Sequence, residues 1–223
     1  MSDVGLIALA SAGLVVVASV PLALYALLNK NARAMRALRN APLQKLADIA
    51  EGVAGRFTGV VEAFGTGTMK APISGKPCVY FELVVARESG GKSRTPSTVF
   101  EDRGGVPFVV RDDSGRAVVD PANARVAVEP SETKELRDAD ALETYLVSKG
   151  FSTSWFLSPS VTYNERLIEV GETVHVFGAG TREPDPDGAP EGYRASMPTR
   201  LRVADSPAQR LAISDDPRAR STS

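Results

Sequence analysis

Hydrophobic and polar positions fall into three textures along the chain. From Val4 to Leu28 the apolar pattern is continuous. Its 25 residues hold thirteen Val, Leu or Ile and six Ala, broken only by Gly5, Gly13, Ser11, Ser19, Pro21 and Tyr25. A helix of that length covers roughly 37 Å at about 1.5 Å per residue, enough to cross a hydrocarbon core of about 30 Å with some tilt. Strong apolar residues contribute about −0.3 to −0.6 kcal/mol each and outweigh the modest penalties of the glycines, the proline and the serines. The pattern predicts a single transmembrane anchor over residues 1–29. Over 30–50 apolar positions recur at helical spacing, with Met35, Leu38, Leu43, Leu46 and Ile49 set among Lys30, Arg33, Arg36, Arg39 and Lys45. This is a basic juxtamembrane segment joining the span to a carboxy-terminal domain.

From residue 51 to 214 the period changes to two, the signature of strands. Val53–Val61, Cys78–Ala86, Pro107–Arg111, Arg116–Asp120, Arg125–Glu129, Glu165–Ile168, Glu172–Gly178 and Arg200–Val203 alternate apolar with polar or small residues, and Gly, Pro and Asp clusters separate them. Asp112-Asp113-Ser114-Gly115 predicts a tight turn, because Asp before Gly supplies side-chain-to-backbone bonds and tolerates positive φ. One helix interrupts. Asp140 starts it, Leu142, Tyr145 and Leu146 form its apolar stripe, Lys149 lies in its last turn and Gly150 ends it. Residues 88–105, 151–162 and 181–192 read as polar loops, the first the mobile tip of a hairpin, and 215–223 as a polar tail. The expected architecture is mainly β: a barrel or sandwich of about eight short strands with one inserted helix, behind a single amino-terminal span.

Charge decides orientation. Only Asp3 precedes the span, whereas basic residues come after it with no acid before Asp48. Positive flanks stay cytoplasmic, so the amino terminus is expected outside and residues 30–223 on the cytoplasmic side. A cleaved signal peptide would need a basic leading region and a shorter apolar core. The sole cysteine, Cys78, lies far from the span, excludes an intramolecular disulfide framework and fits a reducing compartment. A net charge of −1 and a pI near 6.0 leave no electrostatic footprint for nucleic acid. Lys30, Arg33, Arg36 and Arg39 stand where anionic headgroups would be, worth about 1 kcal/mol each near such a surface, or serve only to set topology.

Candidate chemistry is sparse. Structural zinc needs four Cys or His ligands, and the sequence holds one cysteine and one histidine, His175. His175 lies in Thr-Val-His-Val-Phe, a half-buried strand pattern unlike a catalytic loop. Gly178-Ala179-Gly180 lacks the third glycine of a dinucleotide fingerprint, and Pro184 and Pro186 break the helix it would need. Glu165, Glu169 and Glu172 crowd one hairpin and Asp112 with Asp113 another, as solvated turn carboxylates do. The sequence therefore presents no catalytic, cofactor-binding or metal-ligating set.

Several segments together resemble a known family. Ala71-Pro-Ile-Ser-Gly-Lys-Pro-Cys-Val-Tyr-Phe-Glu82 is similar to the Pro-x-Ser-Gly-x-Pro-Cys-Val-Tyr-Tyr segment of the GIDE domain, the membrane-proximal domain of mitochondrial and chloroplast-envelope ubiquitin ligases and their prokaryotic relatives. Pro107-Phe108 with Asp112 and Gly115 resembles its Pro-Phe-x-x-x-Asp-x-x-Gly. Glu165 through Gly171, Glu172 and Gly178 resembles its Glu-x-x-Leu-x-x-Gly-Glu-x-Val-x-Val-x-Gly, and Leu211–Asp215 its closing strand. The matching positions are Pro72, Ser74, Gly75, Pro77, Cys78, Tyr80, Pro107, Phe108, Asp112, Gly115, Glu165, Gly171, Glu172 and Gly178, taken as structural or binding residues. The resemblance implies an anchored domain beside a membrane that recognises substrates or partners. The eukaryotic ligases also carry a second span and a RING finger, whose eight Cys or His ligands one cysteine and one histidine cannot provide. The expectation is a binding or scaffolding module with a cytoplasmic protein partner. The alternatives are the substrate-binding component of a ubiquitin-ligase system catalysed by another chain, and a lipid-interacting membrane organiser.

Overall fold

A computed structural model describes residues 30–88, 96–128, 139–152, 161–188 and 197–220. The apolar run expected to be an anchor lies outside the described residues, as do 89–95, 153–160 and 189–196, which overlap the three segments expected to be polar loops. Among the described residues no helix is long and apolar enough to cross a membrane.

Helix α1 (Lys30–Asn40) and a 3-10 turn (Leu46–Asp48) lead into thirteen strands: β1 (Gly55–Ala63), β2 (Met69–Lys70), β3 (Pro77–Cys78), β4 (Tyr80–Glu88), β5 (Pro96–Gly105), β6 (Phe108–Arg111), β7 (Arg116–Val119), β8 (Arg125–Ala127), β9 (Val161–Ile168), β10 (Thr173–Gly178), β11 (Gly180–Pro184), β12 (Thr199–Val203) and β13 (Ala212–Ser214). Helix α2 (Ala139–Ser148) falls between β8 and β9, and a second 3-10 turn (Pro217–Arg220) comes after β13. The mainly β character and the single inserted helix agree with the sequence reading; the barrel and the count of eight do not. Eight strands form one open mixed sheet in the order β11-β12-β7-β6-β1-β10-β13-β8, and β5-β4-β9 form a separate antiparallel sheet.

Two strands were hidden in segments read as loops. β5 pairs with β4 along its length, and its glycines are packing residues: a Cβ on Gly104 would stand 2.6 Å from the Phe81 ring, and one on Gly105 would stand 2.7 Å from Pro121. β11 pairs with β12 from Gly180 to Pro184 although its sequence is mostly polar. Both are sheet edges, which need no apolar alternation because little covers them.

Alternation sets the layers. Val174 and Val176 of β10, Ile213 of β13 and Val126 of β8, with the flanking Leu211 and Val128, face the main core, and Phe57, Val61, Phe108, Val110, Leu201 and Val203 lie beside them. The intervening residues Phe177, Ala212 and Ala127 face outward, where α1 covers them with Ala34 and Leu38. Burying such side chains contributes about 1.5–3 kcal/mol each for the larger ones. The basic segment is therefore part of the fold: Ala34 and Leu38 are fully buried, and Leu46 and Ile49 enter the main core. The tail also docks, with Ala219 fully buried against α1. Arg56 donates to the Ala41 carbonyl (3.2 Å) and to the Ala219 carbonyl, tying both segments to β1.

The small sheet meets the main core through Val79, Tyr80 and Ile168. Phe81, Leu83 and Val85 of β4 turn the other way, onto Leu142 and Leu146 of α2, with Ala71, Ile73, Cys78, Phe100, Val161 and Tyr163. On the reverse face of β4, Glu82 pairs with Arg166 at 3.0 Å.

Candidate functional site

The motif positions sort first by what they hold. The turn at 71–76 closes through Ala71 N–H to the Lys76 carbonyl (2.9 Å) and Gly75 N–H to the Ala71 carbonyl (3.1 Å), with Gly75 at φ +66°. Within it the N–H groups of Ile73 and Ser74 donate to the two oxygens of Glu165 at 2.7 and 3.0 Å. Glu165 in β9 thus clamps the Pro-Ile-Ser-Gly turn, and two motif pieces about ninety residues apart form one unit. Pro72 is half-buried, and Pro77, at the start of β3, is exposed. Cys78 is fully buried in the α2 core, and that burial pushes its thiol up to about 11, away from the thiolate form. Burial also raises the Tyr80 phenol.

Asp112 plays the same part on the other side. Its carboxylate accepts from Ser114 N–H (2.7 Å), Ser114 Oγ (2.8 Å), Gly115 N–H (2.8 Å) and Leu46 N–H (2.9 Å), so one residue closes the β6–β7 turn and docks the first 3-10 turn. Burial pushes its carboxyl up, but those donors prevail and hold it below the ordinary carboxylate range. Pro107 leads into β6, where Phe108 is fully buried in the main core. Gly171 sits at φ +94° in the β9–β10 turn, where a side chain would strain the backbone. Glu172 accepts from Glu169 N–H at 2.9 Å across that turn, and burial raises its carboxyl. Gly178 lets β10 approach Val203 and Leu211, which a Cβ would meet at 2.8 and 3.0 Å. His175 is buried and shares a 2.6 Å hydrogen bond with Thr58 Oγ1. Of the carboxylates that looked like candidate chemistry, Glu165, Glu172 and Asp112 therefore accept backbone N–H groups, while Glu169 and Asp113 pair with Lys76 (3.5 Å) and Lys45 (3.0 Å) at the surface.

What remains open is a surface around α2. A cleft of about 440 Å³ is lined by Pro72, Asp140, Ala141, Thr144, Tyr145 and Ser148. The clamped motif turn thus supplies one wall and the inserted helix the other. Beside it Asp102 of β5 accepts from Tyr145 Oη (2.6 Å) and pairs with Lys149 Nζ (2.7 Å), which also lies 5.2 Å from the Tyr145 ring. Burial pushes the Asp102 carboxyl up, but Lys149, Tyr145 and the Arg103 N–H outweigh it and hold it below the usual range. The hydrogen bond to Asp102 holds the Lys149 ammonium above its ordinary value. Val147 is 56 % exposed and Phe151 41 %, the latter edge-on to Phe100 at 4.9 Å. Rigid aromatic and aliphatic groups next to satisfied polar ones suit a recognition surface. Of its residues the sequence reading had Pro72, Asp140, Tyr145 and Lys149; Asp102 lay in the 88–105 stretch taken for a loop.

A second polar cluster caps the outer face of the large sheet. Arg200 pairs with Glu183 (2.7 Å) and Asp185 (3.5 Å), Arg202 with Glu183 (2.6 Å), and Arg116 with Glu62, Asp185 and Asp187. Arg200 and Arg202 also stack over Phe64. Its charges are mutually paired, a covering for the Val109 and Val118 side of the sheet. Of the residues expected at a membrane surface, Arg36 and Arg39 are exposed and Arg33 is half-buried on α1; Lys30 begins that helix.

The described residues thus form a β-rich domain in which the motif turn and the inserted helix frame a cleft. Residues 82–190 match the family model of the GIDE domain, described as E3 Ubiquitin ligase. Pro107, Phe108, Asp112, Gly115, Glu165, Gly171, Glu172 and Gly178 fall inside the match, and Pro72 to Tyr80 precede it. No curated protein and no solved structure matches the chain.

Proposed function

We propose that this chain is a membrane-anchored, cytoplasm-facing GIDE-type binding or scaffolding module without a catalytic site of its own, and that a protein partner docks on the α2 surface. One observation carries the reading: Glu165 clamps the motif turn so that Pro72 forms a wall of the α2 cleft. A scaffold that fixes a loop against a helix positions a recognition surface. The anchoring half of the reading is supported by the uncharged run Val4–Leu28 and the basic residues after it.

The test is a photoreactive side chain at Thr144 in the full-length protein in native membranes, with one at Thr98, on the reverse face of the small sheet, as control. Discrete protein adducts from position 144 and none from 98 are expected. Equal labelling from both, or lipid adducts alone, would overturn the docking surface in favour of the membrane-organising role. The family description favours a second reading, a substrate-binding component of a ubiquitin-ligase system. A zinc-bearing partner among the adducts, and ubiquitin transfer only when it is present, would select that reading.

A further inference from the structure

The apolar run ends at Leu28 and α1 is described from Lys30, so a single residue, about 3.5 Å of chain, lies between them in the sequence. Nor is α1 a tether. Ala34 and Leu38 are fully buried against Ala127, Ala212 and Ala219, and Arg56 fastens both Ala41, just past the end of α1, and the carboxy-terminal turn. The opposite side of the helix carries Arg36 and Arg39, both exposed, and α1 has no acidic residue. The large sheet separates α1 from the rest: α1 covers its outer face at Phe177, Ala212 and Ala127. The small sheet and α2 join through the inner face at Val79, Tyr80 and Ile168.

We infer that the domain is held in one orientation at the bilayer, with the Arg33, Arg36 and Arg39 side of α1 against anionic lipid headgroups and the α2 cleft turned to the aqueous phase. This rests on the anchored reading above and adds to it which face meets the lipid. Charge complementarity selects anionic headgroups, and a one-residue junction leaves far less freedom to swivel than a flexible linker of even ten residues would. The arrangement would leave the cleft accessible to a soluble partner.

The full-length protein carrying a fluorophore at Ala32→Cys, in line with Arg36 and Arg39 along α1, or at Thr144→Cys, would be reconstituted in phosphatidylcholine vesicles containing phosphatidylserine and a headgroup-attached quencher. The native Cys78 is buried and takes no label. Several-fold stronger quenching at 32 than at 144 is expected. Arg36→Glu with Ala32→Glu in the protein labelled at 144, compared with its parent, or a Gly-Ser insertion after Asn29, should raise quenching at 144 while leaving the domain folded. Equal quenching in vesicle-bound protein, or stronger quenching at 144, would overturn the orientation. Failure to co-float with vesicles at all would overturn the anchored reading beneath it.

Discussion

Glu165 and Asp112 show what the family-motif residues do at the scale of single side chains. Each is a carboxylate whose oxygens accept N–H donors from distant backbone, a pairing that costs about 1–3 kcal/mol to lose when the donors stay partly buried. Glu165→Ala should therefore lower stability by about 1–3 kcal/mol and loosen the 71–76 turn, read by thermal denaturation and by faster amide exchange at Ile73 and Ser74; unchanged exchange there would refute the clamp. Asp112 adds a pH signature. Because its folded carboxyl lies below its ordinary value of 3.8, its contribution is complete above that value and is lost as pH falls through the depressed folded value. Wild type should lose stability on acidification below about pH 4, and Asp112→Ala should be less stable at neutral pH and less sensitive in that acid window. These positions were visible in the sequence as motif members. The local turn bonds of Asp112 were also legible from Asp before Gly, but the long-range part was not, because Leu46, Ile73 and Ser74 offer backbone N–H groups from other segments, which carry no sequence signal.

Secondary-structure elements were legible wherever one face is buried. β1, β4, β6, β7, β10 and β12 emerged from period-two alternation, and α2 from its Leu142–Leu146 stripe with Gly150 behind it. β5 and β11 were missed because an edge strand lacks the alternation, and because glycine beside an aromatic ring looks in sequence like glycine in a loop. The docking of α1 and of the carboxy-terminal turn was hidden for another reason: Met35 and Leu38 marked one side of α1 as apolar, but most of what they meet on the sheet and in the turn, Ala127, Ala212 and Ala219, is too small to mark a complementary apolar face. Leu38→Ala should cost about 2–4 kcal/mol by leaving a cavity between α1 and the sheet. Arg56→Met should leave the sheet folded but raise amide exchange across residues 30–40 and 217–220 together. Exchange rising in only one of those segments would show that Arg56 does not couple them.

At the scale of the whole molecule, an open eight-stranded sheet separates a basic helix from a small sheet that carries α2. That division could not be read from the sequence, which offers strands without their order; parallel pairing of β12 with β7 and of β13 with β8 brings distant segments together. The resemblance to the GIDE domain was nonetheless legible, since its turn residues are local. Val147→Asp, a change on the exposed side of α2, should leave stability within about 0.5 kcal/mol of wild type while abolishing partner adducts at position 144. The central claim is that the α2 cleft is the docking surface, and amide hydrogen exchange on the full-length protein tests it most directly, comparing native membranes with purified protein in lipid vesicles. Exchange in native membranes should slow at 139–152 and 71–76 and stay unchanged in β1. Unchanged exchange across α2, or slowing confined to α1, would contradict it.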